Sequence, residues 1–583
     1  MRHLADADIT TATTAKPTRS GFRAFFYPLS KTGLFLAILC FAAALTPSMI
    51  PRPGLMQGLL AGIAAAMGYT LGAVLQALWN YLELPRLRAN LLRVWNIVLS
   101  VASISFAVFC LWNTVGWQNS IRARMSMGPL EDGHLWLVCI SALACLVILI
   151  AIGRAITVLV FFLIRRAKRR LPRRVAIILG SSFALVLVWV LANGILAQGL
   201  FPLLDASFRQ YDALLEPEYP QPTRADRSGS KESLLSWQSL GRAGREFIGS
   251  GSSAQQIQAV SGRHAMEPIR TYVGLQSGES VEERAQLALA ELIRAGGFDR
   301  SLLVIITPTG TGWIDPSAIN AIEYLQNGDI ASVAMQYSYL SSPLSLMAHP
   351  EYGADASRAL FSEIYNYWSQ LPQEERPRLY LHGLSLGAMN SARSFELFEL
   401  LGDPIHGALW SGPPFASLTW QRITNERVPD TPQWLPEFRD SRSFRFMNQN
   451  GTPVPKGTPW GRVRFVYLQY ASDAITFFNP HDFYRSPDWM DSPRGPDISP
   501  ELRWYPVVSF MQLAFDMFLS NDTPLGYGHV YAPEHYVNAW VSVTGNSDWT
   551  PEELTKLKTY LAKQAREEMA DFDHPNPYEL RGG

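Results

Sequence analysis

Over its first third the chain alternates long apolar stretches with short charged ones; beyond that, polar and apolar residues mix evenly. Uncharged runs fill 32–51, 53–82, 94–121, 133–153 and 175–204, bounded by Lys31, Arg52, Glu83, Arg93, Arg122, Asp132, Arg154, Arg174 and Asp205. About 20 apolar residues cross the hydrocarbon core of a bilayer. A core helix of a soluble protein rarely runs so long without a charge, so five such runs in succession predict five transmembrane helices. The fourth continues past Arg154 through Ala155–Ile164. It reads either as one long tilted helix or as an interfacial segment.

Beyond residue 205 the period changes. Apolar, β-branched runs recur at Pro268–Leu275, Leu302–Pro308, Ala331–Tyr339, Arg378–His382, Gly407–Ser411 and Arg462–Tyr470. Helical patterns lie between most of them, at Val281–Ala295, Pro316–Gln326, Ala354–Leu371 and Leu386–Leu401. Strands alternating with helices predict a mostly parallel sheet covered on both faces. Glu216–Ser233, with Pro217, Pro220, Pro222 and Gly229, reads as a linker or surface wrap, and Pro551–Phe572 as a charged terminal helix. The expected division is a cytoplasmic tail (1–31), a five-helix membrane domain (32–204), an extracytoplasmic linker (205–236) and a catalytic domain (237–583).

Charge sets the expected orientation. The tail carries Arg2, Lys16, Arg19, Arg23 and Lys31, the second loop Arg86, Arg88 and Arg93, and the fourth loop seven more between Arg165 and Arg174. The first and third loops carry Arg52, Arg122 and Arg124. Fifteen positive charges against three place the N-terminus inside, and an odd number of spans then places everything after residue 204 outside the cytoplasmic membrane. The polar leader is too long, and followed by too many spans, for the first run to be a secretory signal. The net charge of zero averages two unlike halves and gives no argument for a nucleic-acid partner. All four cysteines (Cys40, Cys110, Cys139 and Cys145) lie in the predicted spans, so neither disulfides nor thiol catalysis are expected in the outer domain.

The candidate chemistry centres on Leu381-His-Gly-Leu-Ser-Leu-Gly387. Gly383-x-Ser385-x-Gly387 lies between a strand pattern and a helix pattern, the setting of a nucleophile elbow, where a turn too tight for large neighbours lifts a serine hydroxyl. A serine needs a base, and the base a carboxylate, in the chain order serine, acid, histidine. Asp473 closes the Arg462–Tyr470 strand, and His529 lies in the glycine-rich Gly526-Tyr-Gly-His529. Asp482, Asp491, Asp516 and Asp522 compete for the acid and His535 for the base; Asp473 could instead simply cap the segment after it. One oxyanion donor is expected from the Leu386 N–H. The other is expected from Thr309-Gly310-Thr311-Gly312-Trp313, following what counting back from the elbow strand makes the third strand. The alternatives are an ordinary glycine turn and a phosphate loop, though the Gly-Lys-Ser/Thr ending of a nucleotide P-loop is missing. No metal-ligand spacing is present, and no cofactor is implied.

Leu45-Thr-Pro-Ser-Met-Ile-Pro-Arg52, Pro268-Ile-Arg-Thr-Tyr-Val-Gly-Leu275, Thr309–Trp313, His382–Gly387, Ser472-Asp473 and Gly526–His529 together resemble bacterial membrane-anchored α/β-hydrolases with a multi-span N-terminal domain. Ala474 stands where a proline would be expected after the acid. The resemblance implies an α/β-hydrolase fold and a serine hydrolase; some relatives are implied to cleave aminoacyl esters from phospholipids such as phosphatidylglycerol. The expected function is a serine esterase acting on membrane lipid esters at the bilayer surface. The alternatives are an acyl or aminoacyl transferase with the same triad and a non-catalytic membrane interaction protein.

Overall fold

The computed structural model describes residues 29–85, 88–194, 201–348, 351–546 and 548–571. Arg2, Lys16, Arg19, Arg23 and Arg86 of the orientation argument lie outside them, as do His3, His349 and His574.

The N-terminal region is helical: α1 (Lys31–Ala44), α2 (Gly54–Tyr81), α3 (Ala89–Arg124), α4 (Leu135–Ala167) and α5 (Arg173–Asn193). Three of them, α2, α3 and α4, are long and apolar enough to cross a membrane by length and composition. Large apolar side chains on α3 and α4 point outward, Trp112 being 85 % and Phe162 63 % exposed, as lipid-facing surfaces do. The run past Arg154 is one continuous helix. The first predicted span is shorter than expected. Its helix stops at Ala44, and the rest of the run leaves the helical path. Pro47 and Pro51 lie there, and proline lacks the N–H that would continue a helix. Close packing among α1, α2 and α4 uses small residues: a Cβ on Gly68 would meet the Leu36 carbonyl oxygen at 2.4 Å, and one on Gly62 the Cys145 Cβ at 2.6 Å.

The second half is built on a seven-stranded sheet of order β1-β3-β2-β4-β5-β7-β6, every pairing parallel. The strands are β1 (Ile269–Val273), β2 (Leu302–Thr307), β3 (Ile330–Met335), β4 (Arg378–Leu384), β5 (Gly407–Ser411), β6 (Phe444–Met447) and β7 (Arg464–Leu468). Both faces of β1, β2, β3 and β5 are buried along their whole length, which is why those runs are apolar rather than alternating. Covering helices start where the sequence supplies caps: Ser280 accepts from the Glu283 N–H, and Asp315 from Ser317, with Pro316 in the first turn.

Several elements differ from the sequence reading. The Leu386–Leu401 pattern is two helices, Leu386–Ser391 and Leu397–Gly402. Strand β6, at the sheet edge, and the helices Val508–Leu519 and Pro533–Thr544 were not anticipated. The elbow strand is fourth in chain order among the described residues, not fifth, but β2 is its direct neighbour, with Thr307 opposite Gly383.

Candidate active site

The carboxyl ends of β2, β4, β5 and β7 converge, the edge where open α/β sheets hold their ligands. Ser385 leaves β4 with φ 56° and ψ −125°, and the Leu386–Ser391 helix starts at the next residue. A non-glycine residue held there costs about 1–3 kcal/mol, a strain that clusters at reactive positions. The flanking glycines are sterically required. A Cβ on Gly383 would lie 2.4 Å from the Gly387 carbonyl, and one on Gly387 would lie 2.2 Å from the Thr307 carbonyl oxygen. The Ser385 N–H donates to the Ser411 carbonyl (2.9 Å), which ties the turn to the end of β5.

Asp473 follows β7 and is fully buried. Its Oδ1 accepts from the Ile475 and Thr476 N–H groups (3.0 and 3.3 Å), capping the short Ala474–Phe477 helix. Its Oδ2 meets His529 Nδ1 at 2.7 Å and accepts from the Tyr531 hydroxyl at 2.8 Å. Asp473 thus caps that helix with one oxygen and meets the imidazole with the other. His529 Nε2 is buried and has no hydrogen-bond partner among the described residues. The ring lies over Gly412, where a Cβ would come within 2.6 Å of His529 Cε1. Gly412 directly follows Ser411, the residue bonded to the elbow, so the end of β5 touches both the nucleophile turn and the imidazole.

Three of the competitors, His535, Asp516 and Asp482, have other partners, and so does His382. His535 meets the Tyr470 hydroxyl (2.6 Å), and burial lowers its pKa to about 4. His382 meets the Leu409 carbonyl (2.8 Å), likewise lowered to about 4 by burial. Asp516 pairs with Arg52, far along the chain. Asp482 accepts from the Asn479 side chain.

Three residues that the sequence reading passed over complete the site. Asp497 accepts from the Ser472 N–H (2.9 Å) and hydroxyl (2.5 Å), and Ser472 Oγ in turn accepts from the Gly528 N–H (2.9 Å). One buried carboxylate thus pins the acid's turn to the histidine's loop. Tyr531, whose hydroxyl donates to Asp473 Oδ2, is the second. The third, Asp315, is buried at the end of the Thr309–Trp313 loop. Burial raises its pKa to about 7, against the opposing pull of the Tyr536 hydroxyl, its own cap bonds and the nearby His529.

The Thr309–Trp313 loop lies beside the elbow but is folded on itself. The Thr309, Gly310 and Gly312 N–H groups donate to the Trp313 carbonyl, Ser342 Oγ and the Thr309 carbonyl, each at 3.0 Å. An oxyanion donor from these three positions requires the turn to open. Ser385, His529 and Trp313 are each about 5 % exposed or less, so the site is closed over in this form. No group of three or more histidine, cysteine, aspartate or glutamate side chains able to hold a metal occurs among the described residues.

Residues 269–557 match the model of an alpha/beta-hydrolase family, and residues 45–252 match the model of that family's N-terminus. No curated protein and no solved structure matches the chain.

Proposed function

The chain belongs to the α/β-hydrolase family, and we propose that it is a serine esterase held in a membrane by its N-terminal helices and acting on ester-linked lipids. The observation that carries this reading is the strained Ser385 turn, joined through β5 to an imidazole whose Nδ1 is bound to Asp473. In the proposed cycle Ser385 Oγ attacks the ester carbonyl, and His529 Nε2 takes its proton. Asp473 orients the ring and stabilises the imidazolium. The Leu386 N–H, in a first helical turn where no backbone carbonyl serves it, holds the oxyanion, joined by a donor of the Thr309–Trp313 loop once that turn opens. His529 returns the proton to the departing alcohol, and water then releases the acyl group by the same route.

Membrane placement supports the substrate class. We place all five helices in a bilayer and the hydrolase domain on its outer face. Helix α1, with 14 residues, rises about 21 Å, short of a full hydrocarbon core, so it spans only where the bilayer thins. The loop after α1 and the loop after α3 both touch the hydrolase domain, through Arg52 with Asp516 and Ser126 with Tyr527. That places the two loops poorest in positive charge on the domain's side, in keeping with an outward-facing enzyme. Confinement beside the bilayer raises the effective concentration of a membrane ester.

The test is hydrolysis by the purified full-length protein of aminoacyl-phosphatidylglycerol and other lipid esters against short-chain soluble esters, with products identified. Faster turnover of lipid esters to free acid supports the proposal. Strong preference for the soluble esters removes the lipid assignment, and transfer of the acyl group to an alcohol or amine makes the protein a transferase.

A further inference from the structure

Thr46–Arg52, the non-helical segment between α1 and α2, has so far no part in the chemistry, yet it is among the most buried stretches outside the sheet. Met49 and Ile50 are fully buried, and they join the same hydrophobic core as β4 and β7. Arg52 reaches from it into the hydrolase domain. Its Nε donates to Asp516 Oδ1 at 2.9 Å and its Nη2 lies 2.8 Å from the same oxygen, both side chains being wholly enclosed. The Met49 N–H donates to Asp516 Oδ2 at 3.0 Å, so both carboxylate oxygens are committed to this one segment. The Gln512 side-chain amide donates to the Thr46 and Ala44 carbonyls (2.8 and 3.2 Å). On the membrane side, the Arg52 N–H donates to Gln118 Oε1 of α3 (2.9 Å), and Nη1 to Gln57 Oε1 of α2 (3.1 Å).

Asp516 and Gln512 lie on the Val508–Leu519 helix, whose Val508 packs in a cluster with Ala42, Ala44, Leu45, Ala61 and Val138 of the N-terminal helices. The far end of that helix leads to the imidazole. The Ser520 hydroxyl donates to the Asp516 carbonyl (2.9 Å), and the His529 N–H donates to the Ser520 carbonyl (2.9 Å). A second strut runs from Ser126, after α3, to the hydroxyl of Tyr527 (2.9 Å), two residues before His529.

We infer that Arg52 and Asp516 are positioning residues: the segment between the first two N-terminal helices fixes the Val508–Leu519 helix, and through Ser520 that helix sets the backbone of the catalytic histidine. The N-terminal region is then part of the catalytic apparatus rather than a tether alone. The inference rests on the serine-hydrolase reading above. The physical reason is geometric. A guanidinium fork and a carboxylate that bonds a backbone N–H define both distance and angle, where apolar packing would tolerate sliding. The loop that carries the base has no strand of its own, so its position is borrowed from what it touches.

The test uses the full-length protein in detergent, reading the rate at which an alkyl fluorophosphonate labels the folded, monodisperse fraction, and kcat and KM on an ester that the wild type turns over. The variants are Asp516→Asn, Arg52→Lys and the charge-free pair Arg52→Met with Asp516→Leu. The first leaves a buried guanidinium without its carboxylate and is expected to lose stability. The pair removes that penalty, so a rate loss in it reads geometry rather than unfolding. The expected result is a fall in labelling rate and kcat of about tenfold or more in the charge-free pair, with KM within about twofold, and an intermediate loss in Arg52→Lys, since an Å-scale displacement of a catalytic group suffices for losses of that order. A charge-free pair that labels and turns over at more than about a tenth of the wild-type rate overturns the inference. A loss carried wholly by KM overturns it too. Ser385→Ala run alongside separates the two failures: labelling that persists in it defeats the serine reading itself.

Discussion

Replacing Asp473 with asparagine keeps the shape of the side chain and changes one atom from acceptor to donor. Oδ1 can still cap Ile475 and Thr476, which it holds at 3.0 and 3.3 Å. The new amide then occupies the place of Oδ2, which now faces His529 Nδ1 at 2.7 Å and the Tyr531 hydroxyl at 2.8 Å. An NH2 group cannot accept from an imidazole N–H. The ring must therefore move its proton to Nε2, the nitrogen that would receive the proton of Ser385, and the base is lost while the fold is kept. Wrong-tautomer variants of this kind lose about 10⁴-fold in kcat, equivalent to ~5 kcal/mol of transition-state stabilisation. The assay is fluorophosphonate labelling and ester turnover on the folded protein, with the melting temperature as a check that the cap survives. An Asp473→Asn protein that keeps more than about a tenth of the wild-type rate refutes the orienting role.

Tyr531→Phe removes a hydroxyl that donates to the same carboxylate oxygen; turnover should fall about 10- to 150-fold with little change in KM, the scale of one hydrogen bond to a charged group. Gly387→Ala should cost about 1–3 kcal/mol in chemical denaturation and lower activity in the same sample, because the added methyl would meet the backbone oxygens of Thr307 (2.2 Å) and Pro308 (2.9 Å). His535→Gln should keep labelling close to wild type, since that ring serves Tyr470, whereas His529→Gln should abolish it; equal losses in both would contradict the assignment. Asp315 has a folded pKa of about 7 against 3.8, raised chiefly by burial. The folded state therefore holds this proton more tightly than the unfolded chain does. The associated stability is fully present below about pH 4 and is lost as pH rises through 7, up to about 4 kcal/mol in all. Melting curves of wild type and Asp315→Asn should therefore diverge between those values, the wild type losing more; parallel curves would refute the burial argument.

The central strands were legible because parallel strands buried on both faces are written as unbroken apolar, β-branched runs. The elbow was legible because its glycines are imposed by close backbone approach. Strand β6 was not, since it is short, lies at the edge and carries Arg445 in its middle. The Leu386–Leu401 run looked continuous because Ala392 to Glu396 contains no glycine or proline, although the chain turns there. Asp473 and His529 were found by chain order and position, and the structure brings them into contact. Asp497 and Asp315 escaped, because what makes them matter is which loops fold onto them. The pairing of Arg52 with Asp516 escaped for the same reason: the two lie 464 residues apart, and no local pattern records such a contact.

The most direct measurement is the site of covalent modification by an alkyl fluorophosphonate, read by mass spectrometry of the digested full-length protein. The account predicts a single adduct on the peptide that contains Ser385, absent after mild heat unfolding and absent in Ser385→Ala. An adduct on another residue, or labelling that survives that substitution, would contradict it.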